Sequence, residues 1–139
     1  LVPVNKIEML KSKLHKARVT DGDVDYEGSL GIDSELMEAV GFYPYEKILV
    51  ANINNGARFE TYVIPMPYGS RQMVVNGAAA RLAAVNDRII IMSFAWVEES
   101  EVRDGRYRPR VLRLTERNEP EEMLCQPEGA DESLSMIEG

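Results

Sequence analysis

KILVANINNGARFETYVI, residues Lys47–Ile64, places two short apolar runs on either side of Asn54-Asn55-Gly56. Asn-Gly accepts the positive φ that the centre of a tight hairpin needs, so Lys47–Ile53 and Ala57–Ile64 read as paired antiparallel strands. Pro65 and Pro67 lack a backbone donor and are expected to end the second strand.

The same reading extends in both directions. Upstream, Leu10–Val19 alternates imperfectly and carries many long cations, which reads as a strand. Thr20-Asp21-Gly22-Asp23 reads as a turn, and Tyr26-Glu27-Gly28-Ser29 interrupts the next extended stretch. Asp33 and Ser34 are N-cap residues for a short helix Glu35–Val40, and Gly41 supplies its stop. Downstream, Asn76-Gly77-Ala78-Ala79-Ala80 opens a brief helical turn, Arg88–Val97 reads as a buried strand, and Arg110–Thr115 as the last strand. Many short strands with brief helices point to a mainly β fold, a small barrel. Residues 1–115 form the expected folded body. From Glu116 the chain is acidic, contains Pro and Gly, and is poor in large apolar residues, so residues 116–139 are expected to be a mobile tail.

Composition excludes several classes. Arg88–Val97 is the longest apolar run and falls short of the roughly 20 residues that cross a bilayer. The N-terminal residues lack a secretory-signal pattern, and no membrane association is expected. The single cysteine, Cys125, rules out an internal disulfide and fits a reducing cytoplasm. A formal charge of −7 argues against nucleic-acid binding, and it means that an anionic substrate needs locally placed cations. The only histidine is His15, so no histidine cluster exists to hold a metal; phosphate-binding glycine loops and a Gly-x-Ser-x-Gly elbow are also absent.

Gly28-Ser29 carries the remaining chemistry. Such a pair can be a plain turn. It can also be a self-cleavage site, because glycine tolerates strained φ/ψ and leaves its carbonyl open to the serine hydroxyl. Attack there exchanges the peptide bond for an ester. Elimination then leaves dehydroalanine, which hydrolyses to a pyruvoyl group with loss of ammonia.

The surrounding motifs bear on the choice. LKSKLHKARVT (Leu10–Thr20), DYEGS (Asp25–Ser29), NNGARFETYVI (Asn54–Ile64), YGSR (Tyr68–Arg71) and VNGAAA (Val75–Ala80) occur in this order. Together they closely resemble the pyruvoyl-dependent aspartate 1-decarboxylase family, from about Met9 to Thr115.

The resemblance implies a double-psi β-barrel with short helices, assembled as a homotetramer with sites between neighbouring subunits. It implies cleavage after Gly28, with Ser29 becoming the covalent pyruvoyl cofactor that joins the substrate amine as a Schiff base. The activity implied is that of a carboxy-lyase, converting L-aspartate to β-alanine and carbon dioxide for pantothenate and coenzyme A synthesis in the cytoplasm. A maturation partner for the cleavage step is compatible with this reading.

Carried over residue by residue, Arg58 and Lys13 are the substrate-side cations, suited to the two carboxylates of aspartate. Tyr62 is the proton donor, and a phenol stays protonated at neutral pH. Thr61 assists cleavage near the Gly28 carbonyl. Asn76, Gly77 and Ala78 contact the pyruvoyl region or the substrate, Tyr26 lines the cleavage site, and His15 lies near the pocket rim. Alternation sends Thr61 and Tyr62 to opposite faces of their strand, so both serve one site only through a twist, a bulge or different subunits. The chain departs from the family at Arg81, where a histidine is common, at Ala51, where some members carry tryptophan, and at Leu30, which differs from some relatives. The alternative is an unprocessed paralogue that serves as a binding or scaffold barrel.

Overall fold

A computed structural model describes residues 5–25, 28–127 and 129. The chain forms β1 (Lys6–Arg18), β2 (Asp21–Asp23), β3 (Ser29–Asp33), α1 (Ser34–Val40), β4 (Lys47–Asn52) and β5 (Arg58–Met66). There follow β6 (Met73–Asn76), a 3-10 turn (Gly77–Arg81), β7 (Arg88–Glu98), α2 (Glu99–Arg103), β8 (Arg110–Leu114) and β9 (Pro120–Cys125). No helix among the described residues is long and apolar enough to cross a membrane.

The strands form one mixed nine-stranded sheet in the order β2-β6-β3-β5-β4-β7-β1-β8-β9. Only Val19 and Thr20 separate β1 from β2, yet the two lie on opposite sides of the sheet order. One nearly continuous run of chain therefore pairs with β7 through β1 and with β6 through β2, which rolls the sheet into a barrel. Thr20 locks this closure. Its backbone N–H and its hydroxyl reach the Met73 carbonyl at 2.9 and 3.1 Å, and its Oγ1 accepts from the Met73 N–H at 2.9 Å.

Inside the barrel, Leu14, Leu30, Ile32, Ile48, Val63, Met73, Ile89, Ile91 and Leu112 are almost fully buried in one cluster. α1 plugs it with Leu36, Met37, Ala39 and Val40. Its caps are those expected from sequence: Asp33 Oδ1 accepts from Glu35 N–H at 2.9 Å, and Gly41 takes the left-handed φ of 79°.

Four expectations change. Asp21–Asp23 is a short strand and not a turn, because parallel pairing with β6 stabilises an extended segment that local propensity disfavours. β5 runs past Pro65 to Met66. At Pro65 it pairs with β3 on one side, while its pairing with β4 stops at Tyr62, so an edge exists where a missing N–H is tolerated. β7 is buried on one face only: Ile89, Ile91 and Ser93 point inward, whereas Phe94 and Trp96 are exposed. Residues 116–125, expected in the tail, belong to the folded body. β9 pairs with β8, and Asn118 is fully buried, bonding Arg18 N–H and the carbonyls of Arg18 and Arg71.

Candidate active site

Ser29 opens β3 opposite Asn76, the last residue of β6. It is 1% exposed, and Asn76 Nδ2 donates to its Oγ at 3.1 Å. Its φ of 153° lies where non-glycine residues rarely sit, so the backbone at this serine is strained. Gly28 is exposed, and a Cβ there would meet nothing within 4 Å, so the bond between the two residues joins open surface to a buried hydroxyl.

β6 holds both ends of the loop that carries this bond. Asp23 pairs with Asn76 on one side of β6 and Ser29 pairs with it on the other, so β2 and β3 flank the end of β6. Both flanks of the loop are thus paired to β6. Tyr26, within that loop, lies outside the described residues.

Gly77 follows Asn76 with a φ of 68°, a left-handed value that glycine takes without steric cost. This bend starts the 3-10 turn while the Asn76 side chain makes no capping bond and reaches Ser29 instead. Ala78, one residue further, is exposed.

A second group of residues lies on the outer face of the sheet. Cross-strand partners share a face, so the pairs Ala51–Arg58, Leu49–Glu60 and Lys47–Tyr62 put Arg58, Glu60 and Tyr62 on one side of β5. Leu49 pairs in turn with Met92, and Met92 with Lys13. Lys13 therefore shares the outer face with Arg58 and Tyr62. Three strand spacings, roughly 14 Å, separate β1 from β5, and Ala51, Leu49, Ile90 and Met92 form an apolar floor between them. Arg58 is exposed, Lys13 half-buried, and neither has an ion-pair partner among the described residues. Tyr62 is 38% exposed, and its ring lies 6.3 Å from that of Tyr45.

Thr61 points the other way, paired with the buried Ile48. The parallel register of β3 and β5 begins at Leu30–Val63, so Thr61 lies two residues before the first paired residue of β5, as Gly28 does before that of β3. His15 stands two residues from Lys13, opposite Arg113. Burial, and then the charges of Lys13, Lys16, Arg113 and Arg88, push its pKa down, and its Nδ1 is buried without a hydrogen-bond partner.

The structure thus places the sequence-predicted residues in two groups: Ser29, Asn76 and Gly77 with the adjoining Gly28, and Lys13, His15, Arg58 and Tyr62 on the outer face, while Thr61 faces away from the second group. Sequence reasoning missed the apolar floor and the Tyr45 ring. The floor was legible in principle, since alternation in β7 sends Ile90 and Met92 outward once Ile89 and Ile91 are placed in the core.

By fold and by family model the chain is a small, mainly β enzyme of the decarboxylase class: residues 5–121 match the model described as aspartate decarboxylase. The aspartate 1-decarboxylase of Chlorobium chlorochromatii is 54% identical over 82% of this chain and 87% of its own length. Those of Thermosipho africanus and Coprothermobacter proteolyticus are 51% and 53% identical, over 80% and 84% of this chain and 89% and 94% of their own. The chain belongs to the aspartate decarboxylase family.

Proposed function

We propose that this protein cuts itself between Gly28 and Ser29 and then decarboxylates L-aspartate to β-alanine and carbon dioxide. The observation that carries the reading is the buried, strained Ser29, held by Asn76 immediately after an exposed glycine.

In the cut, Ser29 Oγ adds to the Gly28 carbonyl carbon and the C–N bond breaks, leaving an ester and a free amine on residue 29. Thr61, two residues before the Val63 that pairs with Leu30, donates to the developing oxyanion in this reading. Loss of the Ser29 α-proton expels Gly28 as a carboxylate and leaves dehydroalanine. Water then replaces its nitrogen, ammonia departs, and a pyruvoyl ketone remains. Support for such a group comes from the Asn76 amide, which donates to the Ser29 hydroxyl and can equally donate to a ketone oxygen there.

A pyruvoyl group supplies the electron sink that ordinary side chains lack when an α-carboxylate is lost. The chain's own residues supply the rest. Arg58 presents a planar fork to one carboxylate, and Lys13 adds a second positive charge over the apolar floor, where screening by water is reduced. Tyr62 holds at its phenol oxygen the proton that the decarboxylated carbon receives. Asn76, with the backbone donors of Gly77 and Ala78, orients the reacting end.

Lys13 and Arg58 lie on the outer face, away from the end of β6 where Ser29 sits. Two neighbouring copies resolve the separation: the outer face of one covers the Ser29 end of the next, in a homotetramer with shared sites. The exposed Phe94 and Trp96 on that face favour such burial. Arg81 and Ala51 shape the pocket. Ala51 pairs directly with Arg58 and leaves its guanidinium uncovered. The β-alanine formed feeds pantothenate and coenzyme A synthesis in the cytoplasm.

Denaturing intact-mass measurement tests the proposal. Two pieces divided after Gly28 are expected, the larger lighter by one ammonia than its serine form, together with carbon dioxide release from aspartate. A chain that stays whole on prolonged warming, alone and with a candidate maturation partner, and releases no carbon dioxide rejects the reading.

A further inference from the structure

The loop that joins α1 to β4 makes a tight turn over Tyr43-Pro44-Tyr45-Glu46, closed by the Glu46 N–H donating to the Tyr43 carbonyl at 3.1 Å. Proline stands at its second position and a positive φ of 69° at its third, the pattern of a type II turn. That third position suits glycine or asparagine, because a Cβ there crowds the backbone. Here it holds a tyrosine. Burial does not account for the choice, since Tyr45 is 77% exposed and lies outside the barrel core.

Its side chain has one aromatic neighbour. The Tyr45 ring lies 6.3 Å from that of Tyr62 at a tilt of 32°, within the range of an aromatic pair. The turn is also pinned to the strand that carries Tyr62. Tyr45 N–H donates to the Val63 carbonyl at 2.7 Å, and Val63 N–H donates to the Glu46 carbonyl at 3.0 Å. Pro44 and these two bonds hold the strained backbone in place. Tyr45 is thus clamped to the residue that follows Tyr62, and its ring is delivered beside the Tyr62 ring.

Little else holds the Tyr62 side chain. It is partly exposed, and its hydroxyl makes no hydrogen bond among the described residues. Lys47, its cross-strand partner, is engaged with Glu60 at 2.9 Å. A phenol on an open sheet face exchanges between rotamers within nanoseconds unless a neighbour fills the space. The Tyr45 ring closes one side of that space.

We propose that Tyr45 is a positioning residue for Tyr62, its ring fixing the direction in which the phenol presents its proton. The inference rests on the reading of Tyr62 as the proton donor. Tyr45 acts through the ring contact alone, so its ring is required and its hydroxyl is not.

Turnover of aspartate by the cleaved protein tests this. Tyr45→Gly suits the positive φ, so the urea unfolding midpoint is expected to stay level or rise. Its kcat falls about three- to tenfold, the effect of one lost aromatic contact, while KM stays within about twofold. Cleavage at Gly28 is unchanged, because Ser29 belongs to the other group of residues. Tyr45→Phe keeps the ring and holds kcat within about twofold of the unaltered protein. Tyr62→Phe, measured in parallel, is expected to lose at least about 100-fold in kcat.

Unaltered turnover in Tyr62→Phe overturns the proton-donor reading and this inference with it. Slow turnover in Tyr62→Phe together with unaltered kcat in Tyr45→Gly overturns the inference alone. Equal losses in Tyr45→Phe and Tyr45→Gly also overturn it, since the hydroxyl and not the ring would then act. A lower unfolding midpoint in Tyr45→Gly, or a changed assembly mass in light scattering, assigns Tyr45 to the fold or to a contact between copies and overturns it equally.

Discussion

Asn76 Nδ2 donates to Ser29 Oγ across β6 and β3 at 3.1 Å, and it can do so because Gly77, not the asparagine side chain, turns the backbone into the following 3-10 helix. The serine hydroxyl is thus aimed by a neighbouring strand while its own backbone stays strained.

Asn76→Ala removes that aim while leaving the β6 pairing intact. Self-cleavage is expected to slow at least about tenfold, in line with the sensitivity of intramolecular reactions to orientation. The fraction of uncut chain over time on a denaturing gel measures it. Cleavage at the unaltered rate would show that the hydroxyl is positioned by other groups.

Arg58→Ala removes a charge-assisted carboxylate contact, worth about 1.5–3 kcal/mol. Loss of roughly 10- to 100-fold in kcat/KM follows, with cleavage at Gly28 unaffected. Arg58→Lys recovers only part, since an ammonium cannot reproduce the fork. If sites are shared between copies, co-assembly of Arg58→Ala with the uncleavable Ser29→Ala raises activity above that of either variant alone. Mixed assemblies without that gain would place all the groups in one chain.

Asp33 is fully buried and accepts from the N–H groups of Glu35, Gly69 and Arg71 and from the Arg71 guanidinium. Burial raises its pKa, but these donors outweigh burial and hold the carboxyl below its usual range. Asp33→Ala strands several donors and is expected to cost about 3 kcal/mol, read from urea unfolding midpoints. A depressed carboxyl pKa contributes stability above the unfolded value of about 3.9, lost as pH falls through the folded pKa. The unaltered protein therefore loses stability more steeply below about pH 4 than Asp33→Asn does.

His15 behaves in the complementary way. Its folded pKa is lowered, first by burial and then by the cations around it. The unfolded chain therefore binds a proton more readily, and stability falls as pH drops below about 6.5 until the folded imidazole also titrates. His15→Gln flattens this part of the stability–pH curve. Parallel curves for the two proteins between pH 5 and about 7 would refute the assignment.

Ending the chain after Arg117 removes β9 and, with Asn118, three hydrogen bonds to Arg18 and Arg71. A loss of a few kcal/mol in urea unfolding is expected. An unchanged midpoint would mean that residues 118–125 contribute nothing to the folded body.

Local features of the site were legible because their physics is local. The αL stop at Gly41, the Asp33 cap and the Asn-Gly hairpin each depend on residues a few positions apart. β2 and β9 escaped, since each is an acidic, weakly apolar segment whose extended form is stabilised only by a partner strand distant in sequence.

Residue types and motif order alone determined the family and singled out the Gly28–Ser29 bond and the cations Lys13 and Arg58 as candidates, because chemistry resides in side chains and their succession. Which of these groups meet was decided by the tertiary structure. Closure through Thr20, the register of β3 with β5 and β6, and the shared outer face of β1, β7, β4 and β5 divide them into two groups. That division follows from strand pairing, where a slip of one residue turns every side chain to the opposite face.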